Sequence, residues 1–249
     1  MTSADWATVA SLATALGTLV LAVATFSAVR SGNRTARAAE LSLLTSLRPL
    51  LTPSRREDSV LKVNFGDNKW LRVPGSSAVG EIGGGDGTMG PKDAGVYLSL
   101  SLRNVGSGIA VLHGWRFHAG RPPANDEPPP LDEFRMQTRD MYIPPGDIGF
   151  WQGALRNLDD PQYLEARKAV EEHSEWVVEL LYGDEDGGQR VIGRFRCQPS
   201  PWTGPHSRTG APGGGSDSGE DVAMWLLTVA RHWSIDRPDP RRDDRRAAP

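Results

Sequence analysis

The run from Trp6 to Val29 most constrains this chain: 24 residues without a charge or a proline. As an α-helix it is ~36 Å long at ~1.5 Å per residue, against a hydrocarbon core of ~30 Å. A helix is the one form in which such a segment crosses lipid alone, because every backbone N–H and C=O is paired within it. The run is moderately apolar. Four Leu, four Val, Phe26 and Trp6 stand beside seven Ala, four Thr, two Ser and Gly17. Leu, Val and Phe each favour insertion by only about 0.3–0.6 kcal/mol at the helix centre.

Two parallel rows follow a 3-4-3-4-3 spacing in this run. Val9, Leu12, Leu16, Leu19, Val23 and Phe26 form a bulky stripe. Thr8, Ser11, Ala15, Thr18, Ala22 and Thr25 form a seam of small or hydroxylated side chains. Small seams let membrane helices approach closely, and Ser or Thr can hydrogen-bond across them. The seam therefore reads either as a self-association surface or as neutral filler. The run itself has two other readings: a soluble helix packing its stripe on a core, and a cleaved leader ending at Ala22-Val23-Ala24. The leader lacks the basic start such peptides carry.

Charge sets the expected orientation. No Lys or Arg precedes the run, whereas Arg30, Arg34, Arg37, Arg48, Arg55 and Arg56 follow it. The positive-inside rule places the N-terminus outside and the rest in the cytoplasm of a single-pass protein of the cell membrane. The arginines also suit anionic lipid headgroups. A net charge of -3 argues against broad nucleic-acid binding. A lone Cys197 allows no internal disulfide, in keeping with a reducing compartment.

The remaining chain divides by pattern. Residues 30–48 predict a basic juxtamembrane helix, bent or broken near Gly32-Asn33 and ended by Pro49. Residues 50–198 read as short strands, in keeping with 28 Gly and 19 Pro. Val60–Phe65 and Lys69–Val73 predict a hairpin. Val96, Leu98, Leu100 and Leu102 alternate with Tyr97, Ser99, Ser101 and Arg103, the pattern of a half-buried strand. Ile109–Phe117 returns after the turn Asn104–Gly108. Asp160-Pro161 starts one helix, an acidic N-cap followed by proline. Tyr163, Ala166 and Val170 give that helix an inner face, which would plug one end of a sandwich. Residues 199–221 read as a flexible linker and 236–249 as a disordered tail. Between them, 222–235 is an apolar docking segment with Trp225, Leu226, Val229 and Trp233 at helical spacing; helix and strand both remain open.

Several of these stretches resemble known sequences. The run "LSLRNVGSGIAV" is similar to the strand–N-x-G–strand element of bacterial immunoglobulin-like sandwich domains. Tyr142–Gly146 before Ile148–Trp151 resembles their P-P-G turn, and Trp176–Cys197 their Y-x-D-x-x-G hairpin. "RHWSIDRPDPR" resembles the tail of uncharacterised single-span membrane proteins of high-GC bacteria. The resemblance implies a mainly β chain: an N-terminal transmembrane helix, then an immunoglobulin-like antiparallel β-sandwich with one inserted short helix. It brings no catalytic residues.

Chemistry-bearing patterns are weak throughout. Gly85-Asp86-Gly87-Thr88-Met89-Gly90 is a formal G-x-G-x-x-G, but Pro91 and a strand follow where a dinucleotide site needs a helix. His113 and His118, five apart, should face opposite sides of one strand. Asp184-Glu185-Asp186 begins like a calcium loop, but Gly188 and Gln189 depart from its ligand pattern. No G-x-S-x-G elbow is present. The expectation is a non-enzymatic interaction module without metal or cofactor. Its partners would be membrane lipid, further copies through the helix, and a protein still to be identified. The alternative is an exported ligand-binding protein or enzyme with an inverted or cleaved anchor.

Overall fold

The computed structural model describes residues 3–66, 69–79, 95–121, 127–200 and 224–236. The chain forms two compact units, Met1–Ser46 and Leu47–Pro249. The first is one helix, α1, Ser3–Ser46. It runs through Gly32-Asn33 without the expected break and stops short of Arg48. A single interior glycine weakens a helix by only about 1 kcal/mol. The helix formers between Arg34 and Leu44 outweigh that, so the predicted membrane and juxtamembrane segments are one element.

The second unit is mainly antiparallel β. Its strands are β1 (Leu51–Pro53), β2 (Leu61–Asn64), β3 (Trp70–Val73), β4 (Ser77–Val79), β5 (Val96–Asn104), β6 (Ala110–Ala119), β7 (Arg135–Ile143), β8 (Ile148–Leu155), β9 (Trp176–Gly183), β10 (Val191–Pro199) and β11 (Met224–Ser234). Nine of them form one sheet in the order β8–β5–β4–β11–β10–β9–β6–β7, with β1 pairing with β5 beside β4. The sheet folds over one main core. Leu98, Leu100 and Leu102 of β5 and Trp151 of β8 share that core with Leu112, Trp115 and Phe117 of β6, Val178, Leu180 and Tyr182 of β9, and Phe195 of β10. Helix α2 (Pro161–Glu171) adds Tyr163, Ala166, Ala169 and Val170. Its N-cap forms as expected: the Asp160 carboxylate accepts from Gln162 N at 2.9 Å.

Strand β5 is buried on both faces, not one. The hairpin β2–β3 covers the outer side, where Val63, Phe65, Leu71 and Val73 pack around Tyr97. The serines on that side are satisfied locally. Ser99 Oγ donates to Trp151 O at 2.8 Å, and Ser101 Oγ shares a 2.6 Å hydrogen bond with Ser54 Oγ. Alternation of Leu and Ser signals one wet face only when no other element covers it.

The segment read as a docking piece is the central strand β11, paired with β4 on one side and β10 on the other. Its helix-like spacing comes from a bulge. Trp225 and Leu227 join the main core. The register then slips by one, from Phe195↔Val229 to Arg194↔Arg231. An extra residue reverses which face each later side chain occupies. Trp233 therefore packs on the outer face with Phe134, Leu181 and Ile192. His232 turns inward toward Tyr182 and Phe195.

Asn104 knots one end of the sandwich. Its amide donates to Gly108 O at 2.7 Å and Ile143 O at 2.9 Å. Its carbonyl accepts from Gly106 N at 3.0 Å and Leu50 N at 3.2 Å. The turn lies hard against the incoming chain. A Cβ on Gly108 would sit 1.7 Å from Leu47 O, and one on Gly106 would sit 2.3 Å from Arg48 O. Gly146, at φ +74°, donates its N–H to Asn104 O at 2.8 Å. The N-x-G and P-P-G motifs thus meet at a single residue.

Candidate functional site

Helix α1 carries the features singled out in its sequence. Its Ser11–Ser46 portion has a mean hydropathy of 2.0 in its most apolar window, none of it buried. Leu12, Leu16, Leu19, Val23 and Phe26 are all more than half exposed. The seam residues Thr8, Ser11, Ala15, Thr18, Ala22 and Thr25 lie on this one helix, all exposed. Two seam hydroxyls already donate within the helix: Thr18 Oγ1 to Thr14 O at 2.7 Å, and Thr25 Oγ1 to Leu21 O at 2.8 Å. Their remaining capacity toward a neighbouring helix is as acceptors. Arg30, Arg34 and Arg37 are exposed on the same helix, C-terminal to the apolar run.

The body holds a charged cluster that the sequence reading missed. Glu179 sits mid-strand in β9 with no exposed surface. Register places Arg194 of β10 and Arg116 of β6 directly opposite it on either side. Arg194 gives two contacts to Oε1, from Nε at 2.7 Å and from a terminal nitrogen at 2.6 Å. Oε2 is more loosely held, 3.4 Å from His118 Nε2 and 3.5 Å from Arg116. Burial pushes the carboxyl up. Its contacts with His118 and Arg194 outweigh that and hold it below the usual glutamate range. Arg116 continues to Glu133 at 2.6 Å, and Arg194 lies over the Trp233 ring at 4.8 Å. The arrangement clamps three strands and leaves no carboxylate oxygen facing solvent. The signal was present in the sequence: a lone acid inside Trp176-Val-Val-Glu-Leu-Leu-Tyr182, and an arginine inside Val191-Ile-Gly-Arg-Phe195.

The expected orientation of the histidines is corrected by a bulge in β6 between Leu112 and Gly114. It reverses the alternation, so His113 and His118 lie on the same face. Five residues of strand hold them about 16 Å apart. His113 lines a surface groove, whereas His118 joins the Glu179 cluster. His173 stacks on Trp225 at 4.9 Å. His232 Nε2 lies 2.9 Å from Leu51 O, and burial lowers its pKa. His206 and the G-x-G-x-x-G run lie outside the described residues. Among the described residues no three His, Cys, Asp or Glu side chains converge on a metal position.

The remaining candidates hold structural positions. The Asp184 carboxylate caps its own turn, accepting from Gly188 N at 2.7 Å. Asp160 caps α2 and pairs with Arg135 at 2.6 Å. Cys197 is buried, which pushes its thiol well above the ordinary range. The chain matches no family model, no curated protein and no solved structure.

Proposed function

We propose that this is a single-pass membrane protein whose C-terminal unit is a non-enzymatic interaction module. That unit is an immunoglobulin-like sandwich held at the cytoplasmic face. One observation carries the proposal: in an uncharged helical run long enough to cross lipid, the apolar side chains from Leu12 to Val29 are all exposed. Such exposure in water is strongly unfavourable at roughly 25 cal/mol per Å². Arg30, Arg34 and Arg37 flank the run and favour retention of that side in the cytoplasm. Tethering confines the module to two dimensions and raises its effective concentration toward a partner.

The helix also supports self-association. Continued at the same 3-4 spacing, the seam passes through Val29, Gly32, Ala36, Ala39, Leu43 and Ser46. Arg30, Arg34, Arg37 and Glu40 all fall off it. A repeat of 3.5 residues keeps one face toward a neighbouring helix in a left-handed supercoil. The proposed partners are lipid, a parallel second copy and a cytoplasmic protein.

Two measurements test the reading. After carbonate extraction the full-length chain should remain in the membrane pellet. A reporter active only in the cytoplasm, fused after Pro249, should be on, and one active only outside should be off. Recovery in the supernatant defeats the anchor. The opposite reporter pattern restores the exported ligand-binding protein or enzyme.

A further inference from the structure

A groove of about 570 Å³ runs across β7, β6 and the β9–β10 turn, lined by Ile109, Val111, His113, Asp140, Tyr142, Pro144 and Glu185. Register explains why it is open. Val111 pairs with Tyr142 on one side and with Gly183 on the other. Glycine leaves the β9 side of the floor without a side chain. The floor is apolar, from Ile109, Val111 and Pro144, and two carboxylates stand on the rim.

Among the described residues neither carboxylate has an ion-pair partner. The only described partner of Asp140 is the Tyr142 hydroxyl, 3.2 Å away. Glu185 has no ion-pair partner among the described residues, whereas Asp58 pairs with Arg103, Glu175 with Arg196 and Asp236 with Arg190. The Tyr142 phenol registers the excess negative charge. Its hydrogen bond to Asp140, and then the charges of Asp140 and Glu185, hold it above its usual range. The phenol ring itself is 58% exposed, and no ring or guanidinium among the described residues stacks on it.

We propose that this groove docks an arginine side chain presented by an extended segment of a partner protein. Arginine matches each part of the site. Its aliphatic stem covers an apolar floor, and its planar guanidinium pairs with carboxylates and stacks on an aromatic ring. A bare metal ion is a poor match, because Asp140, Glu185 and His113 do not converge on one position among the described residues. The assignment rests on the groove alone and does not depend on the membrane anchor.

The test uses the full-length chain in nonionic detergent micelles. The probe is a fluorescent, end-blocked peptide carrying two arginines, compared with the same peptide carrying citrulline, the neutral isostere. Fluorescence anisotropy should show saturable binding of the arginine peptide, at least ten-fold weaker binding of the citrulline peptide, and weakening as salt is added. Asp140→Asn and Glu185→Gln should each weaken binding up to about five-fold, as rim ion pairs do. Tyr142→Ala should weaken it further and Tyr142→Phe should not. These are surface changes, and unchanged circular dichroism verifies the fold. Absence of saturation, equal binding of the citrulline peptide, or indifference to both carboxylate variants overturns the proposal. So does tighter binding after deletion of residues 237–249, which would assign the groove to the chain's own arginine-rich tail.

Discussion

Replacing Asn104 should unfold the body more readily than any other single uncharged change at that end of the sandwich. Asn104→Ala leaves two buried carbonyls, Gly108 O and Ile143 O, without donors. It also leaves Leu50 N and Gly106 N without their acceptor, although these are only partly buried and regain water. At about 1–3 kcal/mol for each buried group left unpaired, the two carbonyls set a loss of roughly 2–6 kcal/mol. Domains of this size are stable by only about 5–15 kcal/mol, so the loss is a large fraction of the total. The isosteric Asn104→Asp separates hydrogen bonding from packing. It fills the same volume and keeps the acceptor for Leu50 and Gly106. However, it places an oxygen 2.7 and 2.9 Å from two carbonyl oxygens that now receive a proton. At neutral pH it should destabilise at least as much as alanine. Urea unfolding in nonionic micelles, followed by tryptophan emission, measures both variants. An Asn104→Asp protein within about 1 kcal/mol of the parent would show that side-chain volume, not the donor pair, holds this end together.

Three further outcomes are expected. Glu179→Gln should destabilise the body by about 3 kcal/mol, because breaking a buried pair leaves the Arg194 charge uncompensated; Glu179→Met combined with Arg194→Met should recover most of that in the same urea assay. The carboxyls of Asp58, Glu175 and Asp236 are held below their ordinary values of 3.8, 4.5 and 3.8, chiefly by hydrogen bonds from Arg103, Arg196 and Arg190. Depressed carboxyl pKa values add stability that is complete above the unfolded values and lost as pH falls through the folded ones. Thermal midpoints should therefore hold steady above about pH 5 and fall progressively below pH 4.5; a flat profile down to pH 3 would remove these pairs from the stability account. In α1, Ala15→Leu with Ala22→Leu should weaken a membrane two-hybrid signal, and an unchanged signal would exclude the seam as the contact face.

Features that depend on near neighbours in sequence were legible. The Asp160-Pro161 helix start, the β2–β3 hairpin and the uncharged run in α1 each follow from a few adjacent residues. Features that depend on pairing were not. Asn104 reads as a turn residue, because nothing local indicates that Leu50 and Ile143 will reach it. Glu179 reads as an anomaly in an apolar strand until register sets arginines on both sides. The bulges matter most, because reading faces by alternation fails wherever one extra residue enters a strand. One in β6 brings Arg116 and His118 to the outer face, where they meet Glu179. The other, between β10 and β11, brings Trp233 to the same face, under Arg194. Both interruptions thus deliver polar or aromatic groups to the outside of the large sheet. That side of the sheet holds the buried charge cluster and the acidic groove. Deleting Ala230, the unpaired extra residue, should restore regular pairing while keeping Arg231 opposite Arg194 and Trp233 opposite Ile192, so Trp233 and the Glu179 cluster should stay in place. It should leave the groove around His113, which has its own bulge, able to bind the arginine peptide.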